Sequence, residues 1–147
     1  MNAIQNRSLP STSHEGNLIV IAHIAYALYL LSYFTAGLSW LVAIILSYLK
    51  RPDAEGTWLH SHFEWQIKTF WYSLAMTVVG ILLLTLGLPT GIVGLMVDNS
   101  ATSFSLISAS GLVILAGTLV LVFMIFWHLY RIVRGWLDLV AKHAMPS

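Results

Sequence analysis

Cysteine is absent from the 147 residues. Disulfides, thiolate metal sites and cysteine nucleophiles are therefore excluded. Charge is scarce as well: 9% of the residues are Asp, Glu, Lys or Arg, against about 25% in an ordinary soluble domain. So few charges cannot cover a water-facing surface. The 58% hydrophobic content suits a surface that faces lipid instead. The length allows one compact domain. A net charge of +1 gives no footing for a nucleic-acid partner. Enzyme signatures are missing too. There is no Gly-x-Ser-x-Gly, no His-Glu-x-x-His, no Walker loop and no dinucleotide glycine fingerprint. No catalytic residue is therefore assigned, and no repeat or heptad seam stands out.

What is present is a series of long uncharged runs. Residues 1–16 are polar and read as a flexible tail. From Asn17 to Leu49 no charge occurs. As one helix that run would be roughly 50 Å long, beyond a ~30 Å hydrocarbon core. The small triplet Thr35-Ala36-Gly37 near its middle predicts a tight hairpin of two helices, about 18–34 and 38–50. A single bent span and a cleaved signal peptide ending at that triplet are the rivals. Lys50-Arg51-Pro52 stops the second helix, since proline cannot continue it. A third span is predicted over about 62–87. Residues 88–103, with Pro89, Gly91 and Gly94, read as a loop, and the Gly87/Gly91 pair as part of a turn. A fourth span covers about 104–132. Residues 133–144 read as an amphipathic helix on the membrane surface, followed by the C-terminal tail to residue 147.

The predicted fold is thus all-α: a polytopic bundle of four spans over residues 17–132. All seven basic residues (Arg7, Lys50, Arg51, Lys68, Arg131, Arg134 and Lys142) then fall on one side. The positive-inside rule places both termini in the cytoplasm. Packing stripes are visible. His23, Tyr26, Leu30 and Tyr33 line the first span. His62, Gln66, Thr69, Ser73, Thr77 and Gly80 recur along the third. Ser105, Ser108, Ala109, Gly111, Ala116 and Gly117 are small residues on the fourth, of the kind that let membrane helices approach closely.

The stretch WLHSHFEWQIKTFW, residues 58–71, gathers titratable groups where the third span begins. Ser61 and Glu64 have capping-box spacing. Glu64 and Lys68 are an i, i+4 pair in the favourable order. Trp58, Trp65, Trp71 and Tyr72 suit an interfacial belt. The first reading is that these devices start and anchor a membrane helix.

A second reading uses depth. His23 lies about 9 Å inside the first span and His128 about 6 Å inside the end of the fourth, at helical rise. Four spans place both on the cytoplasmic side. The expected polar cluster there is His23, His60, His62, Glu64, Gln66, Lys68, His128 and Arg131, with Arg131 pairing to Glu64. Haem b or a metal is one use of it, with His23, His62 and His128 as candidate ligands. His60 and His62 diverge by about 200° on a helix, so they chelate together only if that piece is extended. Proton or ion coupling through His and Glu is another use. Anionic lipid headgroups on Lys50, Arg51, Arg134 and Lys142 are a third. The positive-inside rule alone also explains those basic residues.

The pattern resembles the bacterial small four-helix membrane proteins of unknown function related to the chloroplast Tic inner-envelope translocon subunit. The likeness rests on the tight first hairpin and the basic Lys50-Arg51 connection. It rests further on the aromatic–glutamine pair Trp65-Gln66 opening the third span, and on the closing patch Phe126-Trp127-His128-Leu129-Tyr130-Arg131. Glu64 stands where the family often has asparagine. The resemblance covers about residues 17–142. It implies a helical membrane fold and a part in protein translocation or assembly, and no catalytic residues. The leading expectation is a non-enzymatic accessory or assembly partner of other membrane components, without a cofactor, bound to a membrane-protein partner or to copies of itself. A haem- or metal-binding redox subunit and a small proton-coupled transporter or channel are the alternatives.

Overall fold

The computed structural model describes residues 9–35 and 37–146, and every regular element among them is helical. Four α-helices follow one another: α1 (Leu9–Leu31), α2 (Leu38–Lys50), α3 (Leu59–Met96) and α4 (Ser100–Val140), with a 3-10 turn at Pro52–Ala54. Three helices are long and apolar enough to cross a membrane: α1 over His14–Leu31, α3 and α4. The 13 residues of α2 extend roughly 20 Å, short of a ~30 Å core. The chain divides into two compact units. One holds α1, α2, the 3-10 turn, α3 up to Phe70 and the chain from Leu129 onward. The other is Trp71–His128.

In the first unit, α1 and α2 form the expected hairpin. Gly37 carries the turn, with φ of 86°, a left-handed conformation that glycine adopts without the Cβ penalty. Its amide bonds the Ser32 carbonyl at 3.1 Å, closing the end of α1. The Ser39 hydroxyl donates to the Leu28 carbonyl at 3.0 Å, tying α2 back onto α1. Ala36 and Arg7 lie outside the described residues. α2 stops at Lys50, and Pro52 opens the 3-10 turn, where its fixed φ and missing amide do no harm.

Helix α1 begins earlier than expected. Residues 9–16, read as tail, are already helical. Glu15 is held by the Trp58 indole N–H at 2.8 Å, a tertiary contact that no local pattern announces.

The second unit is a two-helix hairpin. Its connection is only Val97–Asn99, because α3 continues through Pro89 to Met96. The loop expected over 88–103 is therefore corrected. Proline removes one helical hydrogen bond, but apolar surroundings and a neighbouring helix hold membrane helices together through such breaks. Asn99 starts α4: its side-chain oxygen accepts from the Thr102 amide at 3.0 Å, a standard N-cap.

The hairpin is sealed by small residues. The buried positions of α3 in this unit are Ser73, Gly80, Gly87 and Gly94, spaced by seven. Facing them on α4 are Ser110 and Gly117, with Ser103 half-buried one heptad earlier. A Cβ on Gly87 would come within 2.7 Å of the Ile114 side chain, and one on Gly91 within 2.9 Å of Ser110 Oγ. The Ser103 hydroxyl donates to the Gly94 carbonyl at 2.7 Å. A heptad seam thus exists, made of small residues where heptad searches look for large apolar ones. Gly87 and Gly91 are part of a helix–helix contact and not of a turn.

The expected separate surface helix at 133–144 is also corrected. α4 runs without interruption to Val140. In the first unit Ile132, Gly135 and Leu139 face inward and are buried, while Leu137 and Val140 are exposed. The segment is amphipathic, as its sequence suggests, yet its inner face packs on Tyr26, whose ring would lie within 2.9 Å of a Cβ on Gly135.

Candidate functional site

Gln66 occupies the centre of the first unit's polar interior and is buried. Its position on α3 aims the side chain between α1 and α2. Gln66 Nε2 donates to the Ala22 carbonyl of α1 at 3.3 Å. Ser47 Oγ of α2 lies 2.8 Å from Gln66 Oε1 and 2.8 Å from the Ala43 carbonyl, so its single proton is shared between two acceptors. The Tyr29 hydroxyl donates to the Gln66 main-chain carbonyl at 3.2 Å. An amide offers both donors and an acceptor. That is why one glutamine can bridge a carbonyl on one helix and a hydroxyl on another. Such buried groups must be paired to avoid a desolvation penalty.

His62 stands one turn earlier on α3, buried. Its Nε2 is 2.8 Å from the His143 main-chain oxygen. A carbonyl only accepts, so Nε2 carries a proton. In the neutral ring Nδ1 then accepts from the Tyr26 hydroxyl at 3.2 Å. Trp58 meets the ring edge-on at 5.4 Å. Beside it, Ser61 Oγ donates to the Trp58 carbonyl at 2.7 Å and accepts from the Met145 amide at 2.9 Å. The C-terminal residues therefore fold back over the start of α3. Lys142 makes the turn, with φ of 56°, and Met145 is buried.

This geometry removes the capping box. α3 begins at Leu59, two residues before Ser61, and Ser61 spends its hydroxyl on Trp58 and Met145. Glu64 reaches sideways instead. It pairs with Arg51 Nη2 at 2.8 Å, and with Lys68 at 4.0 Å in the expected i, i+4 register.

The expected Arg131–Glu64 pair is replaced too. The Arg131 guanidinium lies 3.5 Å from the Trp65 ring centroid, and its Nε donates to Thr69 Oγ1 at 2.8 Å. Trp65 Nε1 in turn donates to the Arg131 carbonyl at 3.1 Å. A planar guanidinium stacks on an aromatic face and keeps its edge for hydrogen bonds. Glu64, five residues before Thr69 on a 3.6-residue helix, lies about 140° around the helix from it and points away from that face.

The remaining histidines do not join one centre. His23 Nδ1 accepts from Trp136 Nε1 at 2.9 Å, so the proton of the neutral ring sits on its other nitrogen. His60 is half-buried. His128 belongs to the second unit, where its Nδ1 is 2.6 Å from Ser73 Oγ. Among the described residues no group of three or more His, Asp or Glu side chains converges as a metal site. A metal at His62 would have to displace one of two hydrogen bonds.

The basic residues assigned to headgroups are mostly paired on the surface: Lys50 with Asp53 at 2.8 Å, Arg51 with Glu64, and Arg134 with Asp138 at 4.0 Å. Lys142 is exposed. Sequence reasoning missed Ser47, Tyr29 and Trp136 as members of the interior, while Thr69 was visible in the α3 stripe. Tyr26 was visible as part of a stripe on α1. The others are joined to partners 19 to 113 positions away, and no local spacing encodes that.

Compared with family models, with characterised proteins and with solved structures, the chain matches none.

Proposed function

We propose that this is an integral membrane protein of the bacterial inner membrane that works by association, as an accessory or assembly partner of other membrane components. One observation carries the membrane reading. In the second unit the buried residues are glycine, serine and histidine, while many large apolar side chains are exposed, with Leu86 65%, Leu112 69% and Phe104 74% exposed. That is the reverse of a water-soluble hairpin, and apolar surface on this scale needs lipid or protein cover.

Four crossings with both termini cytoplasmic fit this arrangement. His14 and Asn17 of α1 share a cleft with Lys50 and Asp53 beyond α2, so the first hairpin returns to the side it entered. The α3–α4 hairpin does likewise, since Ser103 meets Gly94 and Ser73 meets His128. Both chain ends belong to the first unit, where Trp136 near the end of α4 donates to His23 of α1. α3 and α4 each hold more than the ~20 residues a crossing needs. The charged last turns of α4, with Arg131, Arg134 and Asp138, then lie at the cytoplasmic interface.

The association role is supported by where the polar groups go. Gln66, His62 and Arg131 are engaged in holding helices together, leaving the aliphatic outer faces as the surface available to others. The resemblance in layout to the Tic-related proteins points the same way. Tagged protein extracted from its native membrane in mild detergent should co-purify with a stoichiometric membrane partner or further copies of itself. A lone monomer after such extraction would count against the proposal. Reporter fusions at the two ends test the topology, and opposite compartments would overturn it.

A further inference from the structure

At the polar end of the first hairpin, His14 and Asn17 of α1 face Lys50 and Asp53 across an open cleft of about 360 Å³. One turn deeper its wall becomes apolar, with Leu18, Val20 and Ile21. The apolar track continues along α1, where Val20 is 57% and Ile24 47% exposed. The volume is in the range of about 300–1,000 Å³ typical of small-molecule sites.

The charges of this cleft are of both signs. Lys50 Nζ sits 2.8 Å from Asp53 Oδ2. Its hydrogen bond and charge hold the Asp53 carboxyl below the ordinary carboxylate range, with His14 adding in the same direction. Asp53 is therefore an anion at neutral pH, lining the same cleft as the Lys50 cation. A simple anion arriving at Lys50 meets Asp53 as a like charge. A simple cation arriving at Asp53 meets Lys50. A molecule carrying a phosphate and an ammonium a few bonds apart satisfies both at once.

We infer that the cleft binds a zwitterionic glycerophospholipid of the ethanolamine class, with its phosphate on Lys50, His14 and Asn17, its ammonium on Asp53, and an acyl chain along Val20 and Ile24. This rests on the membrane reading above. A primary ammonium has three N–H donors for the Asp53 carboxylate, whereas a quaternary choline has none. Losing that hydrogen bond to a charged group sets the expected preference for ethanolamine over choline, about tenfold.

The test uses the purified full chain, delipidated in detergent, with binding read by native mass spectrometry and thermal shift. Phosphatidylethanolamine should bind about tenfold more tightly than phosphatidylcholine, with the mono- and dimethylated headgroups between. Phosphatidylglycerol should bind weakly, and water-soluble glycerophosphoethanolamine should give no shift. Asp53→Asn should erase the ethanolamine preference and improve phosphatidylglycerol binding. Lys50→Gln should weaken all phospholipids. Equal binding of all headgroups, or an ethanolamine preference that survives Asp53→Asn, overturns the inference. An equal shift from the soluble headgroup also overturns it, by assigning the cleft to a free ligand. Circular dichroism of the variants checks that helix content is unchanged. Alkaline carbonate treatment of native membranes tests the underlying reading separately. Protein retained in the pellet keeps the membrane assignment even if the lipid preference fails, and released protein removes both.

Discussion

Gly80 and Gly117 face each other across the α3–α4 hairpin: a Cβ on Gly117 would stand 3.1 Å from the Gly80 carbonyl oxygen and 2.9 Å from Leu83 Cβ. Both neighbours are backbone or close to it, so neither can swing aside. Gly117→Ala should therefore destabilise the hairpin, by about 1–3 kcal/mol as for overpacking elsewhere. Gly111 lies on the same helix with nothing near its missing Cβ. Gly111→Ala gains the same helix propensity without the clash, and should melt in detergent at or above the parent temperature. Equal melting of the two variants would refute the seam.

Gln66 bonds Ala22 with its nitrogen and Ser47 with its oxygen. Gln66→Leu removes both contacts with little change in volume, and should lower stability by about 1–3 kcal/mol. Gln66→Glu should be worse, because a carboxylate oxygen would confront the Ala22 carbonyl with no proton between them. Detergent melting curves give the order, and a Glu variant as stable as the Leu variant would contradict the assigned orientation of the amide.

Arg131 stacks on Trp65 and donates to Thr69. Lysine can do neither in the same geometry, so Arg131→Lys should destabilise although charge is kept. A double-mutant cycle with Trp65→Leu should give a coupling of about 0.5–2 kcal/mol. Additive single effects would show that the stack contributes nothing.

Gly135 leaves room for the Tyr26 ring, whose hydroxyl would be 2.5 Å from an added Cβ. Tyr26 is buried and has nowhere to move. Gly135→Ala should lower thermal stability. Tyr26→Phe, which deletes the crowding oxygen at the expense of its bond to His62, should restore part of the loss in the double variant. A double variant weaker than the sum of its parents would speak against the contact.

Glu64→Ala should change stability by no more than about 1 kcal/mol, since its pairs with Arg51 and Lys68 are part-exposed. A capping-box role would make the loss larger. Melting of this one variant therefore separates the two accounts.

How far the fold was legible follows from which signals are local. The Thr35-Ala36-Gly37 hairpin was, because glycine at a positive φ is a single-residue requirement. The stop at Lys50-Arg51-Pro52 was, because proline acts on its immediate neighbours. The continuation through Pro89 was not, because whether a proline ends a helix depends on what packs around it. The glycine seam went unseen for a related reason. A period of seven in small residues carries no hydrophobicity signal, and its meaning appears only when a second helix lies against it.

The candidate site divides the same way. Gln66, His62 and Arg131 stood out as polar residues in apolar runs, and all three prove to be engaged inside the first unit. Gln66's partner Ser47 and His62's partner at the His143 carbonyl did not stand out, and for Arg131 and Glu64 the expected pairing was wrong. Opposite charge suggested it, while helix geometry turns Glu64 toward Arg51 and leaves Arg131 to the Trp65 face.

Composition and run length alone determine that this chain is helical and apolar on a membrane scale, because backbone groups among so many aliphatic residues must be satisfied within their own segment. Which buried groups meet, which histidine nitrogen holds its proton and which face of each helix is sealed by glycine were decided only in three dimensions. Those outcomes depend on short-range contacts between residues far apart in the chain, and hydrogen bonds and steric limits act over a few ångströms of space and not along a sequence.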